Sequence, residues 1–150
     1  MHWGVKSMRQ KIALLFFALL LLSCDKKSIE SEFFDWENFS YEKMEDYPLD
    51  QQFKIFLYGN QEVRPSLTGL AAPIAKRGEI ALDYVLDQVR DSENDLDFRD
   101  SMVIFREMEN GGYYGVCEDE IAIQEITANA DKISHPDWRA IYNQMLENLC

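Results

Sequence analysis

Histidine is almost missing from this sequence. Two occur in 150 residues, His2 and His135. Beyond the amino terminus no second histidine exists to pair in a zinc site, so H-E-x-x-H arrangements are excluded. The chain also lacks G-x-S-x-G, P-loop and G-x-G-x-x-G motifs, which removes the common hydrolase, nucleotide and dinucleotide signatures. Basic residues are scarce, 15 against 27 acidic, for a formal charge of −12. An acidic surface repels nucleic acid and anionic lipid headgroups; it favours basic partners, or serves solubility alone. Strand patterns are missing too. "GYYGVC", Gly112 to Cys117, is the one short β-like run, and a buried loop between helices explains it better.

What is present begins at the amino terminus. Lys6, Arg9 and Lys11 precede any acidic residue, and Ile12 to Leu22 is unbroken apolar sequence. A basic start followed by an apolar run of this length is the layout of an export signal. Eleven helical residues span about 16 Å, short of the roughly 20 apolar residues that a bilayer core requires. The run ends at Leu21-Leu22-Ser23-Cys24 and turns charged at Asp25.

That ending resembles the lipobox of bacterial lipoprotein signal peptides. The resemblance covers residues 1–24 and implies that residues 1–23 are removed. It also implies that the Cys24 thiol carries diacylglycerol, with more than one acyl chain holding the protein to a membrane. Asp25 resembles the signal that retains such proteins in the inner membrane of enteric-type bacteria. The expected location is therefore the bacterial cell envelope, lipid-anchored, on the periplasmic face of the inner membrane in a Gram-negative cell.

From Cys24 to Cys150 the chain has 127 residues, enough for one domain with its own core. All 27 acidic residues but only 12 of the 15 basic ones lie here, a formal charge of about −15. Cys117 and Cys150 form an even pair and are candidates for a disulfide in an oxidising compartment. A Cys117–His135 nucleophile is the competing reading. Residues 24–46 read as a lipidated cysteine and a tether. Within it, "FFDWENFSYEKM", Phe33 to Met44, is too apolar for a free linker and is expected to dock on the domain. The alternative is an exposed patch for a partner, and Trp36 is its candidate contact.

Residues 47–150 carry helical periodicity. Leu49, Phe53, Phe56 and Leu57 follow Pro48 on one face, with Gly59-Asn60 as the expected stop. Ser66 is the expected cap of a second helix, kinked at Pro73 and ended by Gly78. Glu79 to Arg90 is apolar over so wide an arc that it is expected to be the central helix. Asn94 or Asp95 starts a fourth helix ending at Gly111-Gly112. Asp119 to Ile133 is the fifth, and Pro136 opens a sixth carrying Trp138, Ile141, Tyr142, Met145 and Leu149. The fold class is therefore all-α, a small bundle or stack of about six short helices. Arg64 to Arg90 resembles a HEAT-like repeat, reading as helix, glycine turn, helix, which would imply stacked hairpins.

No catalytic or metal constellation and no cofactor motif emerges. "DSENDLDFRD", Asp91 to Asp100, alternates carboxylates as a calcium loop would. Leu96 stands where an EF-hand needs glycine and Met102 where it needs glutamate, so an acidic loop and helix cap is the better reading. "GGYYGVCED", Gly111 to Asp119, is the most unusual internal stretch. Tyr113 and Tyr114 either plug an edge of the core or, with Trp36, meet a partner. The resulting expectation is an envelope lipoprotein whose acidic helical domain binds a protein, an immunity-type protein being one concrete version. Its rivals are a role in envelope assembly and an enzyme using unidentified carboxylates.

Overall fold

The computed structural model describes residues 28–150 apart from 36 and 38. Cys24 and Trp36 lie outside the described residues. Seven α-helices are found among them, and no strand. They are α1 (Ile29–Phe33), α2 (Leu49–Gln61), α3 (Ala71–Ala75), α4 (Glu79–Arg90), α5 (Asp95–Gly111), α6 (Glu120–Asn129) and α7 (Pro136–Glu147). Four short 3-10 turns, at Glu42–Asp46, Thr68–Leu70, Val116–Glu118 and Ala130–Lys132, link them. The protein is an all-α bundle.

The helix ends follow local chemistry. Asn94 caps α5 by accepting from the Leu96 amide at 3.1 Å. Asp119 caps α6, its Oδ1 accepting from the Ile121 and Ala122 amides at 3.1 and 3.0 Å. Each bond satisfies an amide that the helix itself leaves without a partner. Pro136 sits at the start of α7, where its missing N–H costs nothing. His135 is the cap before it, with Nδ1 accepting from the Asp137 amide at 3.3 Å.

The central helix is α5, not α4 as the apolar arc of Glu79–Arg90 suggested. α5 is the longest, at 17 residues, and it packs against α2, α3, α4 and α7. Phe98, Met102, Ile104, Phe105 and Met108 on it are buried. α4 buries Ala81, Leu82, Val85, Leu86 and Val89, but Ile80 remains 72% exposed. The wide arc on α4 exceeded what its neighbours cover.

Two further expectations are corrected. Gly59-Asn60 does not stop α2, which runs on to Gln61. Gly59 is there for close packing: a Cβ on it would lie 2.7 Å from Leu70 Cδ1 and 3.1 Å from Phe34 Cζ. Nor does Ser66 cap a helix kinked at Pro73. Its hydroxyl donates to the Asn60 carbonyl at 3.0 Å, and the α-helix begins only at Ala71. Pro73 thus falls in the first turn, where no backbone donor is required.

The core reaches back to the aromatic segment. Phe33, Phe34 and Met44 are buried, and α1 packs on α2. Phe33 meets Phe34, Phe39 and Tyr47 edge-on, with centroids 5.1 to 5.7 Å apart, a preferred aromatic geometry. Gln52, buried on α2, donates to the Met44 carbonyl at 2.7 Å. Arg77 ties the same region down through Gln52 Oε1 and the Tyr47 carbonyl, at 3.0 and 3.1 Å. At the other end Cys117 and Cys150 are joined, with Cα atoms 5.7 Å apart.

Candidate partner-binding site

The face of the bundle that stands out is the open groove between α4 and α6, about 570 Å³ in volume. α4 supplies Leu82, Asp83, Tyr84, Leu86, Asp87 and Arg90. Helical spacing explains the set: Asp83, Tyr84, Asp87 and Arg90 lie one turn apart along a single stripe. Ile80 sits one turn earlier on the same stripe, outside the groove lining. The opposite wall, on α6, is Asp119, Ile121, Ala122 and Glu125. Ile121 is 79% exposed, the most exposed large apolar side chain among the described residues.

The two walls run in the same direction. At one end Tyr114, just before α6, donates its hydroxyl to Asp119 Oδ2 at 2.8 Å. That bond, burial and the charges of Asp119, Glu79 and Asp83 together push its phenol above the ordinary value. At the other end Lys132, just after α6, donates to the Arg90 carbonyl at the end of α4, at 3.1 Å. At that same end the Arg90 side chain bridges the walls, meeting Asp87 and Glu125 at 2.9 Å each. Four carboxylates and one cation line the groove. The cation is already shared by two of the four, and Asp83 has no ion-pair partner among the described residues. The field in the groove is therefore negative.

Asp119 is held below the usual carboxylate range, chiefly by the Ala122 amide and then by the Tyr114 hydroxyl. It stays ionised while serving the helix cap. The groove thus combines fixed negative charge with one unburied isoleucine, Ile121, and such a patch is suited to binding rather than to proton transfer.

A second polar cluster lies at the start of α5 and is structural. Gln61 Nε2 donates to Asp97 Oδ1 and Asp100 Oδ2 at 2.9 and 3.0 Å, and Asn94 Nδ2 donates back to Gln61 Oε1 at 3.1 Å. Ser92 donates to Asp97 at 2.7 Å. Asp95 accepts from the Ser134 and His135 amides at 2.9 and 2.7 Å, which holds its carboxyl below the usual range. The Asp91–Asp100 run therefore ties the α5 start to α2 and to the turn before α7. Among the described residues no cluster of histidine, cysteine, aspartate or glutamate is arranged to hold a metal ion.

The sequence-selected residues are scattered across these features. Tyr114 borders the groove. Tyr113, 38% exposed, lies with its ring over Gly111 and takes no part in the groove lining. Cys117 sits in the 3-10 turn beside it, bonded to Cys150. Asp83, Asp87, Ile80 and Ile121 escaped sequence reasoning. The available signal was a surplus: α4 and α6 each carry an isoleucine, at Ile80 and Ile121, in the first turn where a surface helix usually carries polar residues.

Fold and groove together define a small all-α domain with an acidic cleft between two parallel helices. No protein-family model matches the chain, and no curated protein or solved structure matches it at a significant level.

Proposed function

We propose that this protein is a lipid-anchored component of the bacterial envelope whose helical domain binds another protein. The observation that carries the binding half is the α4–α6 groove, with Ile121 79% exposed among its carboxylates and Ile80, in the first turn of α4, 72% exposed. Leaving two large apolar side chains in water forgoes their burial, of order 1.5–3 kcal/mol each. A partner that covers them recovers it. An immunity-type protein facing a basic toxin is a concrete form of this reading. The anchoring half rests on Lys6 to Cys24.

The two halves fit one geometry. Ser28 caps α1, accepting from the Ser31 amide at 3.2 Å, so only residues 25–27 separate Cys24 from the first helix. A fully extended stretch from Cys24 to Ser28 reaches about 14 Å. A lipidated Cys24 would hold the domain close to the bilayer.

Fractionation tests the anchor. Cys24→Ala should leave the protein unprocessed or move it out of the membrane fraction; fatty-acid labelling of the mutant would refute it. A photo-crosslinking side chain at position 121, in cells that make the full chain, tests the binding. It should capture one defined protein, and a smear matching that from a crosslinker at Glu62 would refute it.

A further inference from the structure

We propose that the face carrying Tyr41 and Tyr58 rests on the membrane that holds Cys24, with both phenol rings at the headgroup level of a zwitterionic phospholipid. The inference rests on the lipid-anchor reading above and adds which face of the domain meets the bilayer.

Three observations select it. The first is a row of rings with open ends. Tyr58 packs on Phe34 with centroids 5.4 Å apart, Phe34 on Phe39 at 5.8 Å, and Phe39 on Tyr41 at 5.2 Å. Phe34, inside the row, is buried, whereas the tyrosines at its ends are each 41% exposed. The same two are linked from behind. Tyr41 lies over Gly69, and the Leu67 amide donates to the carbonyl of Gly59, next to Tyr58, at 3.1 Å. Tyrosine is apolar along its ring and polar at its tip, the kind of side chain that a bilayer interface favours. The second is reach. Phe34 directly follows α1, whose five residues extend about 8 Å, and the stretch from Cys24 to Ser28 reaches about 14 Å. A domain of this size is roughly 35 Å across. Acyl chains on Cys24 therefore draw the surface around α1 toward the bilayer and leave the far surface in water. The third is charge. Lys54 and Glu62 stand one turn from Tyr58 on either side, on α2 and at its cap, and both are exposed. A zwitterionic headgroup offers a phosphate to the lysine and a cation to the glutamate. An anionic headgroup offers no cation and is repelled by the negative net charge.

The test uses the chain made in cells with its signal, purified from the membrane and placed in phosphatidylcholine vesicles. Intact mass first reports the acyl groups. A phenylalanine bearing a diazirine replaces Tyr58, Tyr41 or, as a reference, Ile121 on α6. Light joins it to whatever it touches, and mass spectrometry identifies the product. Positions 58 and 41 should each give phosphatidylcholine adducts at least fivefold above position 121. With the probe at 58, Tyr41→Glu and, separately, Lys54→Glu should each lower the adduct at least threefold. Vesicles made mostly of phosphatidylglycerol should lower it to a similar degree. Each variant is first checked for the helical circular dichroism of the parent. Equal lipid adducts at 58, 41 and 121 overturn the inference, because no face is then selected. A product with the mass of two chains overturns it too and assigns the face to a second copy. If the chain is acylated and positions 58 and 41 yield only water adducts, the anchor stands and this inference alone falls. If the chain carries no acyl group, the anchor reading fails and the inference falls with it.

Discussion

Gly78 shows how much one residue can decide. It turns the chain between α3 and α4 with φ 59 and ψ −134, a conformation open in practice to glycine alone. A Cβ there would also lie 3.1 Å from the Tyr113 carbonyl oxygen. Gly78→Ala should lower stability by about 1–3 kcal/mol, read as a lower denaturant midpoint with an unchanged slope. Asp100 is the other decisive residue. It is 1% exposed, and burial pushes its carboxyl above the ordinary value despite Arg99 beside it at 2.8 Å. An acid with a raised folded-state value holds its proton more tightly when folded, so protonation favours the fold. The wild type should therefore gain stability relative to Asp100→Asn as the pH falls from neutral toward 3.8. Asp95 behaves oppositely. Its value is lowered by the Ser134 and His135 amides, so its stabilisation is present above 3.8 and is lost as the pH falls through the lowered value. Unfolding curves of wild type and Asp100→Asn across this range should diverge; parallel curves would refute the assignment.

Among the elements, α5 organises the rest. Its first turn is fixed by the Asn94 cap, and the same side chain reaches Gln61 on α2 and Asp97 one turn on. Asn94→Ala removes a cap and an interhelical bond together. A loss of about 1–2 kcal/mol is expected, against a few tenths for Asn94→Ser, which restores the cap alone; equal losses would show that the cap is irrelevant. The periodic pattern of α5 was legible because its buried side is continuous: Phe98, Met102, Phe105 and Met108 recur at helical spacing. α2 was less legible. Ile55 is buried and Leu57 only half-buried, against the face that Leu49, Phe53, Phe56 and Leu57 define, and α1 packs on the same helix. Gln52, Asn60, Asp100, Ser101 and Asn129 are buried polar residues that no hydrophobic period identifies.

Taken whole, the molecule is closed at its carboxyl end by the Cys117–Cys150 bond, which spans 33 residues and encloses α6 and α7. These helices need it. α7 buries only Tyr142 fully, whose hydroxyl donates to the Ile126 carbonyl at 2.7 Å, and α6 buries Ala122, Ile126 and Asn129. Replacing both cysteines by serine should cost about 3–4 kcal/mol in the chain-entropy model. Because α6 forms one wall of the groove, the same variant should weaken capture through position 121. Thiol titration of the oxidised wild type should find neither of these two cysteines reactive. Two reactive thiols, or an unchanged unfolding midpoint in the variant, would contradict the bond's role.

The all-α class, the helix starts at Asn94, Asp119 and Pro136, and the stop at Gly112 were already determined by the chain, since each depends on residues within one or two turns of one another. The resemblance of residues 1–24 to a lipoprotein signal is likewise a matter of local order. Which helix became central, why Gly59 must be glycine, and which isoleucines stay in water were decided by the tertiary structure alone. Burial depends on what the neighbouring helices cover, and periodicity reports a helix's own face, not its partner's. The groove belongs to this second kind. Asp83 and Asp87 on α4 come to face Asp119 and Glu125 on α6 because the two helices pack directly on each other, and no spacing along the chain encodes that meeting.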